Sequence, residues 1–188
     1  MPAGITRERA LALLHEHVAN PTMIKHSLAS EAVLAALAER QGADRETWAM
    51  AGLLHDLDIE ITRADPAVHG REGARMLEDL GVNGEIVTAI RRHNEHSCAE
   101  ARETVLDHAL ASGETITGLI VATALIQPDK KLVSVKVKSI TKRMKERAFA
   151  ASVNRDSIME CERIGIDLAD FAQLALTAMQ GISDELGL

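Results

Sequence analysis

The chain has 188 residues and a mass of 20.3 kDa, is 46% hydrophobic and 26% charged, and carries a formal net charge of −7. That is enough for one domain with a sizeable core, and it excludes intrinsic disorder. The longest uncharged run, Thr115 to Pro128, is too short to span a membrane, and the acidity argues against a nucleic-acid coat.

Helix signals follow one another along the chain. Thr6 can cap a helix with apolar residues at Ala10, Leu13, Leu14 and Val18, stopped by Asn20-Pro21. The next carries His26, Ala29, Val33 and Leu37 on one stripe and ends near Gly42. Asp44 can cap a third, through Trp48, Ala51 and Leu54 to His55. Residues 57–68 lack a helical period and contain Pro66, which predicts a loop. A helix from about His69 to Gly81 follows, and then one capped by Asn83 with Ile86, Ala89, Ile90 and His93 facing the same way. Residues 94–103 are polar and loop-like.

Thr104 to Ile126 predicts a long, nearly apolar helix, closed by Gln127-Pro128-Asp129. Beyond it, Val133, Val135 and Val137 alternate like a strand, but Val133, Val137, Ile140, Met144 and Ala148 keep helical spacing over a longer stretch, which predicts a helix. Asn154 and Asp167 can cap two closing helices, the second reaching Ile182. The expectation is a single all-α domain over residues 1–188, about eight helices, with a core at about 20–128 and C-terminal helices 129–188 packed on it. No opening segment runs from basic to apolar, so the expected compartment is the cytoplasm.

Two cysteines cannot build a disulfide framework, and three aromatic residues cannot build base-stacking platforms. The eight histidines are the unusual feature. His55-Asp56 sits where an apolar helix runs out. His26 and His93 share the inner stripes of their helices, and His69 opens another. Glu114 is a carboxylate inside the apolar helix, where burial without a partner is costly. Each has a structural alternative, such as a buried histidine bonded to a carbonyl. Together they form a mixed imidazole and carboxylate set suited to Mn, Fe, Co, Ni or Zn, with Mg also admissible.

The ordered set His26, His55-Asp56, His69, His93, Glu114, in the contexts IKHSLASEAV, AGLLHDLD, HGREGARML and AIRRHNEH, resembles the HD-domain superfamily of metal-dependent phosphohydrolases. It is most similar to the small HDIG-type proteins. The resemblance implies an HD-type helical bundle and a first metal held by His26, His55, Asp56 and Glu114. His69 and His93 would then hold a second ion, with Asp56 as the bridge. Departures are Glu114 in place of the usual Asp, Leu57-Asp58 after the HD pair in place of Ile-Gly, and Ile59 where some relatives carry a lysine.

The activity this implies is hydrolysis of a nucleotide or other small phosphate ester through a metal-activated hydroxide, with one or two divalent cations as cofactor. Asp56 would orient the nucleophile, and Glu60 or Asp58 could shuttle a proton. His96, Arg92, Lys130 and Lys131 are the candidate substrate contacts, with Arg91, Arg71 and Lys25 as further nearby cations. The partners expected are a small phosphorylated substrate and a second copy of the chain, not a membrane or nucleic acid. Two other functions share the ligand set: a di-iron HD-type oxygenase, and a non-catalytic metal-binding regulatory module.

Overall fold

The computed structural model describes residues 2–94 and 100–188. Two long helices form its centre, α2 (Pro21–Gln41) and α6 (Val105–Leu125), each of 21 residues. Around α2 pack α3 (Arg45–Leu54), α6 and α9 (Leu168–Gln180). α1 (Arg7–His17) covers α3, while α4 (Arg71–Asp79) lies on α5 (Gly84–His93), which leans on α3 and α6. The C-terminal part, α7 (Val137–Met144), α8 (Arg155–Met159), α9 and α10 (Ser183–Leu186), packs on α2 and α6. Among the described residues there is no strand and no helix long and apolar enough to cross a membrane.

Local chemistry sets the helix ends. Thr6, Asn20, Asp44, Asn83 and Thr104 each accept a first-turn backbone N–H, and Thr104 forms a reciprocal capping box with Asp107; such caps are worth about 1 kcal/mol each. Pro21 does more than stop α1: it stands at the first position of α2, where its missing N–H costs nothing. The stripe Ala29, Val33, Leu37 is buried as the periodicity predicts, beside Trp48, Leu54 and Phe171.

One close crossing positions the functional residues. A Cβ on Gly52 would lie 2.5 Å from the Ser30 carbonyl oxygen, so only glycine permits this approach of α3 to α2. The crossing lies one turn from His26 and one turn from His55, and therefore aligns the two imidazoles.

The structure departs from expectation in four places. The predicted long helix over 133–148 is a 3-10 turn at Leu132–Ser134 followed by the short α7, and Val133 is 79% exposed rather than inward. Asp129 explains the break: its carboxylate accepts from Lys131 N and from the Ser134 hydroxyl at 2.5 Å, a local network that competes with helix formation. His69 precedes α4 instead of opening it, because Gly70 takes φ 88° at the N-cap. The last predicted helix divides, α9 ending at Gln180 and α10 adding one turn, with Ile182 between them. Ten α-helices are present among the described residues against about eight expected, the excess lying in short C-terminal turns. Residues 57–68 form successive hydrogen-bonded turns without a helix, as expected, but Leu57 and Asp58 within them are wholly buried.

Candidate metal centre

His26 from the second turn of α2, His55 at the C-cap of α3, Asp56 just beyond it, His69 before α4, His93 at the end of α5 and Glu114 from mid-α6 converge. Two groups form. In one, ligand atoms of His26, His55 and Glu114 lie within 4.8 Å of one another; in the other, those of Asp56, His69 and His93 do. Asp56 stands between them. Its Oδ2 is 3.6 Å from His26 Nε2 and 3.4 Å from His55 Nε2, and its Oδ1 is 3.0 Å from His69 Nε2 and 3.6 Å from His93 Nε2. Glu114, one methylene longer than aspartate, brings Oε2 within 3.7 Å of His26 Nε2.

All four imidazoles present Nε2 inward and commit Nδ1 elsewhere. His55 Nδ1 lies 2.8 Å from Gly52 O and His93 Nδ1 2.6 Å from Ile90 O, which requires N–H on Nδ1. Thr117 Oγ1 donates to Glu114 O and so accepts from His26 Nδ1 at 3.0 Å. His69 Nδ1 donates to Asp58 Oδ1 at 2.7 Å. Neutral imidazoles so bonded carry bare lone pairs on Nε2, the form that binds metal. His26 and His55 bring their Nε2 atoms to 3.1 Å, and His69 and His93 to 3.2 Å. Lone pairs so close repel unless a proton or a cation lies between them. Four such nitrogens and two carboxylates are a donor set that fits divalent cations.

The electrostatics divide the four imidazoles. Burial lowers the pKa of His26 and His93, which keeps both neutral, whereas for His55 burial is outweighed by Asp56 and the pKa is raised. Burial opposes ionisation of Asp56, but the surrounding histidines overcome it and hold its carboxyl well below the usual range. Burial likewise opposes charge on His69, yet hydrogen bonds to Asp56 and Asp58 push it up to about 10. Without a cation, then, His69 keeps a proton facing Asp56, and a metal must compete for the same nitrogen. Burial raises the pKa of Glu114, the cost that an adjacent cation relieves.

The cluster floors a cavity of about 380 Å³ whose rim includes Asn94, Arg102, Ser152, Asn154 and Ser157. Several predicted contacts are not part of it. Glu60 turns to the α1–α2 connection, its Oε1 accepting from Ala19 N at 2.9 Å and Asn20 N at 2.7 Å, and it does not line the cavity. Arg92 is paired with Asp107 at 3.0 Å and Glu100 at 3.2 Å instead of facing the cavity. Lys130 and Lys131 follow the far end of α6, exposed and outside the lining, and Lys25 donates to Leu186 O. His96 lies outside the described residues.

Two residues carry roles that the sequence did not suggest. Asp58 is fully buried and accepts from His69 Nδ1 and from the backbone N–H of Gly70 and Gly73, so it orients the His69 imidazole and does not face water. Arg102 donates to the carbonyls of Arg92 and His93 and pairs with Glu160, tying the end of α5 to the C-terminal helices. The pairing of Asp58 with a histidine eleven residues on is the one such signal in the sequence; Arg102, in an aperiodic stretch, had none. The family model described as HD domain matches residues 23–125, more than half of the chain and the span holding all six clustered residues. No solved structure matches the chain.

Proposed function

The chain belongs to the HD-domain family of metal-dependent hydrolases, and from that we propose that it is a phosphohydrolase acting on a small phosphate ester at a paired cation site. The observation that carries this reading is the placement of Asp56, whose Oδ2 faces the nitrogens of His26 and His55 and whose Oδ1 faces those of His69 and His93. Cations bound there would lower the pKa of a water toward neutrality and offset phosphate charge.

The chain's own residues divide the remaining tasks. Thr115 holds Glu114 Oε1, which leaves Oε2 for the His26 side. Asp58 and the carbonyls of Gly52 and Ile90 fix the imidazole tautomers. Arg102 spends three of its five N–H donors on the protein and keeps two at the cavity rim, where they can bond a phosphate oxygen.

The test is a phosphate-release screen over phosphate esters with Mn²⁺, Co²⁺, Ni²⁺ and Mg²⁺, repeated without oxygen. Release that needs metal and not oxygen, and is abolished in His55→Ala/Asp56→Ala protein that still folds, is the expected result. Oxygen consumption by iron-loaded protein without phosphate release would instead favour the oxygenase, and absence of both the regulatory module.

A further inference from the structure

Part of the cavity wall outside the cluster carries hydrogen-bonding side chains. It is supplied by the segment leading into α8: Ser152, Val153, Asn154 and Ser157. Asn154 spends its Oδ1 on capping α8, accepting from Asp156 N at 3.0 Å and Ser157 N at 3.3 Å, which leaves its amide N–H₂ free. The hydroxyls of Ser152 and Ser157 bond to no described residue, although Ser157 is only 8% exposed. With the two unspent donors of Arg102, the cavity offers several uncommitted hydrogen-bonding groups beside the apolar Val153 and Gly118.

An aromatic surface is missing as well. The chain holds one tryptophan, two phenylalanines and no tyrosine. Trp48 and Phe171 lie in the core, and Phe149 lies under the Arg143 guanidinium at 4.4 Å. None lines the cavity, and the rings that do, the imidazoles of His26, His69 and His93, belong to the donor cluster, so a nucleobase would find no tryptophan or phenylalanine to stack on. Ligand pockets of about 300–1,000 Å³ are ordinarily lined by apolar and aromatic side chains. This one, of about 380 Å³, is small, and no tryptophan or phenylalanine lines it. The larger hollow beyond Asn154 sets Asp156 and Glu160 against Arg163 alone, a poor seat for a polyphosphate tail.

We infer that the substrate is a small polyhydroxylated phosphate monoester, a sugar or polyol phosphate, whose hydroxyls are held by Ser152, Asn154 and Ser157. The inference rests on the phosphohydrolase reading and narrows it away from nucleotides. In the reaction the water oxygen bonds to phosphorus and the ester P–O bond breaks. One proton of the water passes to the departing sugar oxygen and the other stays on the phosphate.

The test measures binding separately from turnover. Titration calorimetry on the full chain with Mn²⁺ uses the non-hydrolysable phosphonate analogues of glucose 6-phosphate and of AMP, with methylphosphonate as reference. Phosphate release from glucose 6-phosphate, sorbitol 6-phosphate and AMP is followed in parallel. The sugar phosphonate is expected to bind about tenfold tighter than the AMP analogue, and Ser152→Ala/Ser157→Ala to lose roughly tenfold for it, the effect of two neutral hydrogen bonds. The loss for methylphosphonate is expected to be smaller. Should the double variant unfold, Asn154→Ser removes the amide and keeps a capping oxygen, and is expected to weaken the sugar phosphonate selectively. An AMP analogue bound as tightly as the sugar analogue, sugar binding indifferent to these variants, or no binding of either analogue overturns the inference. Phosphate release from AMP would then leave the phosphohydrolase reading standing. Serine-dependent sugar binding with no release from any ester sinks the phosphohydrolase reading and keeps the ligand class.

Discussion

Asp58→Asn probes how far the centre depends on a residue that cannot touch the ion. The wild-type carboxylate is wholly buried, with Oδ1 2.7 Å from His69 Nδ1 and Oδ2 2.8 Å from both Gly70 N and Gly73 N. Asparagine can keep its oxygen on the two glycine N–H groups. Its amide nitrogen then meets His69 Nδ1 and cannot accept a proton, so the neutral imidazole must carry its hydrogen on Nε2, the atom facing Asp56. Losses at such supporting positions run to about 10–100-fold in metal affinity, or about 1.4–2.7 kcal/mol. Fold stability of the metal-free protein should fall less than in Asp58→Ala, which orphans two buried N–H groups at about 1–3 kcal/mol each. Competition of Mn²⁺ against a fluorescent chelator gives the affinity, and urea unfolding with EDTA gives the stability. Wild-type metal affinity in Asp58→Asn would refute the tautomer argument, as would equal stability of the two variants.

Gly70→Ala places a Cβ 2.8 Å from His93 Cε1 at a backbone φ of 88°. About 1–2 kcal/mol of backbone strain and a displaced His93 are expected, seen as a lower melting temperature and weaker metal binding; unchanged binding would show that His93 is not a ligand. For Asp107, burial opposes ionisation, but the Glu103 and Thr104 N–H groups and Arg92 reverse it and lower the pKa. A depressed carboxyl stabilises the fold above its ordinary value and ceases to do so as pH falls through its folded value. Asp107→Asn should therefore cost about 1–2 kcal/mol at pH 7, a gap that narrows below pH 3.8 in denaturant titrations; a constant gap would contradict the charge assignment.

Much of the centre was legible because its residues sit on periodic helices. His26 shares a stripe with Ala29 and Val33, His93 with Ile86 and Ile90, and the inward direction follows from spacing alone. Glu114 stood out as a carboxylate in an apolar helix. The failures fall where period vanishes. Glu60 and Asp58 lie in consecutive turns, where tertiary contacts alone decide that one reaches the α1–α2 connection and the other the His69 imidazole. Arg92 lies one residue before His93, which on a helix points it about 100° away, toward Asp107. Val133 misled because one valine fits both periods, and the Asp129 side chain, not hydropathy, decided the local backbone.

The account stands on Asp56 joining two donor sets. Metal-to-protein ratios after equilibrium dialysis of the purified chain against Mn²⁺ address this directly: two ions per chain are expected in the native protein, one in His26→Ala, and a sharp weakening of both in Asp56→Ala. An Asp56→Ala protein that is folded and keeps either ion at native affinity would contradict it.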